Sequence, residues 1–553
     1  MLNILKYIKP LKREVNNLFP IVVLLYYPFI ILSTIGACYL PSLWSYIREV
    51  IAFGLLTSVL FVVTSLFSPT KLRKYLIVIF NLILSALVFI KLIFYQQFGA
   101  KINASALFVV FETNTEEASG FISDYINKSI LFLFIGLLLL SIFLVKRLLF
   151  SAKFDEYIFV VPRLCFKNNV LKGFVMFLFL LSGYVIFTMF YDENIIIKGL
   201  SSYNEYLELK ECLKTNLAKE RSENIKVFPN NDEATYVVII GESTSRWHMQ
   251  LYDYNRETNP LLTEIKDELF VFSNVISPHT HTILSLEKVL TLSDYWYPNK
   301  DDNASIVQLA NHAGFSTYWL SNQRPVGIHE SIPTMIGNAA KYKYYVNSDD
   351  TFHDVYDEKI FPYLDNILKS ELPKKMIFIH LIGTHTSYKR RYPEKFNYFS
   401  GENSKTKFKH ENSLDVVNEY DNAVRYNDSI VRTIIEKIKE QNTNSYVLYF
   451  SDHGEDVFDI MDSFGHNEIN GTKPMYDVPF VIWLSEKYKR KNNSFFTTND
   501  VLERSYNLED FIHSFSDLSN ISFDQFNPSK SVFNKEYVKS KRLIKNGIDY
   551  DER

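Results

Sequence analysis

The chain has 553 residues, with 59 Lys and Arg against 62 Asp and Glu and a net charge of −3. That balance excludes the dominant basic face of a nucleic-acid binder. Of three cysteines, only Cys212 lies in the polar part of the sequence, which excludes both an intradomain disulfide and a cysteine-based zinc site there.

The first 191 residues hold five apolar runs near the roughly 20-residue length that crosses a bilayer: about Pro20–Leu40, Ile51–Phe67, Leu76–Tyr95, Ile130–Val145 and Gly173–Tyr191. The mean hydropathy of −0.04 therefore averages two unlike halves. Lys6, Lys9, Lys12 and Arg13 precede the first run. Lys71, Arg73 and Lys74 follow the second, and Lys146, Arg147, Lys153, Arg163, Lys167 and Lys172 follow the fourth. Basic loops mark the cytoplasmic side, so five spans export the carboxyl-terminal part. In a bacterium this predicts a multi-pass inner-membrane protein with a periplasmic domain. Residues 192–232 read as amphipathic bridging helices, with Tyr203, Tyr206, Leu207, Leu209 and Leu213 on one apolar face.

Residues 233–553 alternate strands with helices. The pattern predicts strand Tyr236–Ile240, helix Asn259–Glu268, strand Phe270–Ile276 and helix Thr282–Leu292, then helix Ala304–Ala313, strand Phe315–Leu320 and helix Thr351–Lys369. Strand Met376–Leu381, helix Ser413–Gln441 and strands Tyr446–Phe450 and Pro479–Trp483 follow. The stretch Tyr398–Asn412 and the tail after Lys489 read as loops. Repeated βα units predict an α/β domain, its mostly parallel sheet covered by helices on both faces.

Two of these strands end in potential metal ligands, at the sheet edge where α/β proteins collect reactive groups. Val237–Ile240 runs into Gly241-Glu242, and Tyr446–Phe450 into Ser451-Asp452-His453-Gly454-Glu455. Glu242, Asp452 and His453 form an oxygen and imidazole set that suits Zn²⁺ best, Mn²⁺ second and Mg²⁺ less. Gly454 is expected to permit the turn that points Asp452 and His453 at one ion. A nucleophile is expected on the loop Ser277-Pro278-His279-Thr280-His281-Thr282. Thr282 opens an apolar helix, whose amino terminus attracts phosphate. Thr280 is the runner-up, and plain N-capping is the competing role. His385 and His466 lie in loops where each can bind a phosphoryl oxygen or carry a proton, whereas His380, inside a strand, reads as a core residue.

The run Gly241-Glu242-Ser243-Thr244-Ser245-Arg246-Trp247-His248-Met249, continuing through Tyr252, Tyr254, Arg256 and Thr258-Asn259-Pro260, resembles the signature of membrane-bound phosphoethanolamine transferases of the alkaline-phosphatase/sulfatase superfamily. Ser451-Asp452-His453-Gly454-Glu455 with Gly465-His466 matches as well. The resemblance implies a five-span anchor and a sulfatase-like domain. It implies zinc held by Glu242, Asp452, His453 and a threonine. Thr282-Ile283-Leu284-Ser285-Leu286 matches the spacing around the nucleophile, so Thr282 would carry the phosphoethanolamine. His385 and His466 would contact substrate phosphate, and Thr113 and Glu117 would bind the ethanolamine head group. The donor implied is phosphatidylethanolamine, taken from the membrane lipids, and the acceptor lipopolysaccharide core, lipid A or another surface glycan; a monomer is expected.

The chain departs from the pattern at three points. It lacks the disulfides of lipid-A-modifying relatives, it has Val109 where a loop Asn is expected, and it has no cleanly placed basic residue after Trp319-Leu320-Ser321-Asn322-Gln323, where Arg324 and His329 are nearest. Competing readings are a phosphoglycerol transferase of the lipoteichoic-acid type and a catalytically inactive lipid-binding scaffold. A sulfatase lacks support because the Cys/Ser-x-Pro-x-Arg motif is missing.

Overall fold

A computed structural model describes residues 22–40, 42–64, 70–98, 101–102, 107, 128–149, 169–228, 232–296, 303–323, 332–347, 356–401, 406–468, 470–492, 500–545 and 547–553. Thr113, Glu117, Val109, Arg324 and His329 lie outside the described residues. The chain divides into two compact units, Met1–Leu107 with Ile122–Asn204, and Phe108–Phe121 with Glu205–Arg553.

The first unit is built of apolar helices. Two of them are long and apolar enough to cross a bilayer among the described residues, Leu43–Val62 and, within the helix Thr70–Phe98, Tyr75–Gln96. Val22–Cys38, Ile130–Lys146 and Gly173–Thr188 are apolar but shorter. Among the described residues, two of the five expected runs therefore meet that criterion. The second helix starts at Leu43 rather than near Ile51, because Ser42 caps it by accepting a bond from the Ser45 amide. Its first turns carry Arg48 and Glu49, which hid the onset from a reading of apolar runs alone. Charges buried among apolar helices must be paired. Lys91 bonds Glu49 at 2.6 Å and the Glu193 carbonyl at 2.7 Å, while the Glu193 carboxylate accepts from Arg48 at 2.8 Å and Lys101 at 2.7 Å.

The second unit is organised by a seven-stranded sheet: β1 (Ala234–Gly241), β2 (Leu269–Val271), β3 (Ser316–Ser321), β4 (Tyr342–Tyr345), β5 (Lys374–His380), β6 (Ser445–Ser451) and β7 (Phe480–Leu484). Their spatial order is β2–β7–β6–β1–β5–β3–β4. β7 runs antiparallel to both neighbours and all other pairings are parallel, so the sheet is mixed. Every residue of β1 is buried, as a continuous Val/Ile run with cover on both faces requires. Tyr236, Val238 and Ile240 enter one core with the helices Thr282–Val289, Ile306–His312 and Phe511–Leu518. Val237 and Ile239 enter the other, with Phe361–Leu368 and the long helix Glu411–Glu440.

Several expectations are corrected. The strand expected over Phe270–Ile276 breaks at Ser273-Asn274: β2 ends at Val271, and Val275–Ile276 pairs instead, in parallel, with Tyr506–Asn507. The helix expected over Asn259–Glu268 is Pro260–Glu264 followed by a 3-10 turn. Helix Thr282–Val289 ends short of Leu292, and β4 was not anticipated. The tail after Lys489 is not a loop, because Phe511, Phe515 and Leu518 bury one helical face in the core. In the bridging stretch, helix Ile195–Leu217 forms, but Val227–Phe228 is extended and pairs with Ser522–Phe523. Gln308 ties that stretch down by donating to the Asn216 and Lys219 carbonyls at 2.9 and 3.0 Å.

Candidate metal centre

β1 and β6 are neighbours in register, with Gly241 opposite Ser451. Their carboxyl ends therefore deliver Glu242 and Asp452-His453 side by side. Ser243 turns the chain immediately after Glu242 with φ of 57°, a conformation uncommon for a residue with a Cβ. Its amide donates to Asp452 Oδ1 at 3.1 Å and its hydroxyl to Glu242 Oε1 at 3.0 Å. Gly383 (φ 52°) lies against the same turn, where a Cβ would come within 2.8 Å of the Glu242 backbone nitrogen and oxygen. Gly454 acts differently from the sequence expectation. It is not in the left-handed region; glycine is needed there because a Cβ would collide with the Pro474 carbonyl.

The ligating atoms of Glu242, Asp452 and His453 lie within 4.8 Å of one another, and all three residues are buried. His453 Nε2 stands 3.3 Å from Glu242 Oε1 and 3.5 Å from Asp452 Oδ2. Thr282 Oγ1 joins them, 3.1 and 3.3 Å from the two Glu242 oxygens and 3.5 Å from His453 Nε2. The N-cap position belongs to His281, with no side-chain capping bond, so Thr282 is the first helical residue and its hydroxyl is free for the site. Thr280 Oγ1 is buried with no partner and bonds none of the three.

These atoms fit a cation. Asp452 Oδ1 accepts from the Ser243 and His453 amides, whereas Oδ2 is buried without any hydrogen-bond partner. His453 Nδ1 donates to the Gly454 carbonyl at 2.8 Å, which leaves the Nε2 lone pair facing two carboxylates. An orienting bond of this kind is what a metal-binding imidazole requires. Burial and the nearby Glu242 push the Asp452 carboxyl up to about 8. Burial opposes charge on His453 and Glu242 too, yet the carboxylates raise His453 to about 10, and His453 in turn holds Glu242 below its ordinary range. Two carboxylates and an imidazole in so small a space call for a divalent ion in place of shared protons.

Ser277 and Ser285 hydroxyls donate to the Asp452 carbonyl at 2.6 and 2.5 Å and tie the Thr282 loop to β6. His466 faces His453, with ring centroids 4.3 Å apart, and its Nδ1 bonds Glu455 Oε2 at 2.9 Å. His453, Glu455 and His466 form a second cluster of possible ligands. Glu455 is already bonded by Tyr388 and His466, and burial raises it to about 7. His385 Nδ1 lies 3.3 Å from Thr386 Oγ1. Burial, opposed by Glu242, lowers His385 to about 4; burial and His453 take His466 well below its ordinary value. His380 is a buried strand residue, as expected.

Sequence reasoning missed two supports. Gln323 Nε2 donates to Glu242 Oε2 at 3.0 Å and to the Leu381 carbonyl at 2.9 Å. Asp357 accepts the Ile382 and Gly383 amides, both at 3.0 Å, and so positions the loop against Glu242. Gln323 closes the run Trp319–Gln323, where the resemblance points to a basic residue further on; Asp357 carries no local signal.

The motif continues away from the metal ligands. His248 is buried between Asp421 (Nδ1 to Oδ1, 2.6 Å) and Asp459 (Nε2 to Oδ2, 3.2 Å). Arg256 at 2.6 Å and Tyr254 at 2.9 Å donate to the other Asp421 oxygen. This network joins the loop after Glu242 to helix Glu411–Glu440 and to the loop beyond His453.

A family model described as Sulfatase matches residues 234–521. The phosphoethanolamine transferase EptC of Escherichia coli (strain K12) is 31% identical over 524 residues, covering 90% of each chain. The crystal structure of the periplasmic domain of Escherichia coli EptC in complex with Zn is 34% identical, with a TM-score of 0.56, covering 59% of this chain and 95% of that one. The integral membrane lipooligosaccharide phosphoethanolamine transferase A of Neisseria meningitidis, 20% identical, shares the fold over 94% of this chain and 97% of its own, with a TM-score of 0.64. With the sulfatase match over its catalytic unit and a curated relative aligned along nine-tenths of its length, the chain belongs to the phosphoethanolamine transferase family of sulfatase-like proteins.

Proposed function

We propose that the protein transfers phosphoethanolamine from phosphatidylethanolamine to a cell-surface glycolipid, with Thr282 as the carrier. The observation that supports this most directly is the convergence of the Thr282 hydroxyl with Glu242, His453 and the partnerless Asp452 Oδ2. Zinc suits this oxygen and imidazole set, with Glu242, Asp452, His453 and Thr282 as its ligands. When bound it supplies positive charge that lowers the proton affinity of the Thr282 hydroxyl and offsets the charge of the phosphoryl oxygens.

Thr282 Oγ1 attacks the phosphorus of the donor. The new Oγ1–P bond forms as the bond to the diacylglycerol oxygen breaks, and the proton that Thr282 gives up passes to that oxygen, so diacylglycerol leaves as the alcohol. A glycan hydroxyl then attacks the same phosphorus, the P–Oγ1 bond breaks, and the hydroxyl proton returns to Thr282. Burial keeps His385 and His466 neutral, so each can hold that proton in passing. The first-turn amides of helix Thr282–Val289 orient the phosphoryl oxygens. Thr113 and Glu117 are assigned to the ethanolamine head group on the resemblance alone.

The membrane unit is read as a five-span anchor over residues 1–191, with the bridge over 192–232 and the catalytic domain over 233–553 in the periplasm. The protein is taken to act as a monomer beside donor and acceptor in one leaflet. Mass spectrometry of surface glycolipids tests the whole reading. A phosphoethanolamine increment should appear with the native protein and vanish with Thr282→Ala. A glycerol-phosphate increment would favour the phosphoglycerol reading, and identical spectra would refute transfer to these acceptors.

A further inference from the structure

The segment Arg246–Asn255 is only partly accounted for by the metal centre and the His248 network. Arg246, Trp247, Leu251 and Tyr252–Asn255 wall a separate cleft of about 620 Å³ with Lys266, Val271, Ser273 and Asp477. β2 runs parallel to β6 and β1, so Val271 and Ser273 stand at the same sheet edge as Glu242 and Asp452. The wall is also bonded to the reactive loops. Tyr476, next to Asp477, accepts the Ser277 amide at 2.8 Å, and Ser277 is the residue that donates to the Asp452 carbonyl.

We infer that this cleft binds a saccharide ring of the acceptor, an inference that rests on the transferase reading above. Three aromatic side chains line it, and each is fixed by its polar end. Trp247 Nε1 donates to Asp477 Oδ2 at 2.8 Å, the Tyr252 hydroxyl accepts the Phe480 amide at 2.9 Å, and the Tyr254 hydroxyl donates to Asp421 at 2.9 Å. Trp247 is nevertheless 38% exposed. Anchored aromatic faces of this kind offer contact area at little cost in entropy. Around them Asp253, Asn255 and Lys266 are exposed, and their side chains have no partner among the described residues. Asp253 sits in the left-handed region, with φ of 67°. A carboxylate, an amide and an ammonium beside a flat aromatic face match the alternating hydroxyls and C–H surface of a sugar.

Charge narrows the occupant. Arg246 is paired with Asp477 at 3.1 Å, and the remaining Asp253 and Lys266 cancel. The cleft therefore suits a neutral, hydroxyl-rich ring rather than a free phosphate or a polyanion. Binding there would hold the glycan at the sheet edge from which one of its hydroxyls reaches Thr282.

The test uses the full-length protein in detergent micelles and separates the two halves of the reaction. Trp247→Ala and Lys266→Ala should raise the KM for lipopolysaccharide about tenfold, or about 1.4 kcal/mol, while diacylglycerol release from phosphatidylethanolamine is unchanged. Trp247→Phe should keep a KM near that of the wild type. Delipidated core oligosaccharide should change the tryptophan fluorescence of the wild type, and Trp247→Phe should abolish the change. Unaltered acceptor KM in Trp247→Ala and Lys266→Ala, an oligosaccharide response that survives in Trp247→Phe, no response at all, or the same response to inorganic phosphate would each overturn the saccharide cleft. Loss of diacylglycerol release in step with transfer would also overturn it. Absence of diacylglycerol release by the wild type would instead overturn the transferase reading, and with it the acceptor role, whatever the fluorescence shows.

Discussion

Replacing His248 by Gln should destabilise the catalytic unit by an amount that shrinks as pH rises. The imidazole is buried against Asp421 and Asp459, with Tyr254, Arg256 and Tyr420 completing its surroundings. Burial alone would lower its proton affinity, but Asp459 and Asp421 outweigh that and raise it to about 10. An unfolded histidine titrates near ~6.5, so the folded protein retains this proton across roughly three and a half further pH units, equivalent to about 4–5 kcal/mol. Because the folded pKa is raised, the contribution is complete below about pH 6.5 and is lost as pH climbs toward 10. Between those limits the folded state holds one more proton than the unfolded state, so stability falls by about 1.4 kcal/mol per pH unit. Asp421 keeps Arg256 and Tyr254 in the variant, which limits the loss at low pH to roughly 3 kcal/mol. At about 2–4 °C per kcal/mol this is a Tm difference on the order of 6–12 °C. Thermal melting of wild type and H248Q, followed by tryptophan fluorescence at pH 6, 8 and 9.5, measures it. Taking the difference at each pH removes titrations common to both proteins. A Tm difference that is constant, or that grows with pH, would refute a protonated His248 held between two aspartates.

Thr282→Ala should abolish transfer, with a loss of at least about 10³-fold in diacylglycerol release, while Thr282→Ser should keep measurable activity because the hydroxyl survives; equal activity of Thr282→Ala and wild type excludes Thr282. Asp452→Asn replaces the partnerless Oδ2 or its mate with an amide, so metal content after purification should fall well below that of the wild type. Chelation should lower the Tm of the wild type and leave that of D452N unmoved, since only the former has a bound ion to lose. Gly383→Ala forces a Cβ onto the Glu242 backbone from a left-handed position, and should cost about 2–3 kcal/mol together with metal affinity; a G383A protein with full metal content and wild-type Tm would contradict the close approach. Ile239→Ala should cost about 2–5 kcal/mol in thermal or denaturant unfolding, as its side chain is wholly buried.

What could be read from the sequence is what local chemistry carries. Val237–Ile240 and Tyr446–Phe450 are unbroken apolar runs of strand length, so their burial at the centre of a sheet, and the delivery of Glu242 and Asp452-His453 from one edge, followed directly. The choice of Thr282 over Thr280 rested on helix position and family spacing, and its hydroxyl is the one beside Glu242. Less was legible where tertiary partners decide. Val271 and Val275 lie in one apolar stretch, yet two polar residues between them send the chain from one sheet to another. Tyr342–Tyr345 is a half-exposed edge strand and lacks the apolar run of the central strands. The helix Phe511–Leu518 had a usable signal, apolar residues at positions i, i+4 and i+7, within a tail dismissed as polar. At Gly454 the sequence suggests a turn, whereas glycine is required by the approach of Pro474, twenty positions along the chain. Gln323 and Asp357 reach the site by side-chain bonds across strands, which no spacing rule announces.

The claim on which the rest depends is that Thr282 carries the transferred group. Incubating the full-length protein with phosphatidylethanolamine in the absence of acceptor, then mapping peptides by mass spectrometry, tests it most directly. The account predicts one phosphoethanolamine increment on the peptide containing Thr282, fragmentation placing it on that residue rather than Thr280, and its disappearance when lipopolysaccharide is added. An increment on another residue, or diacylglycerol release with no modified threonine, would contradict it.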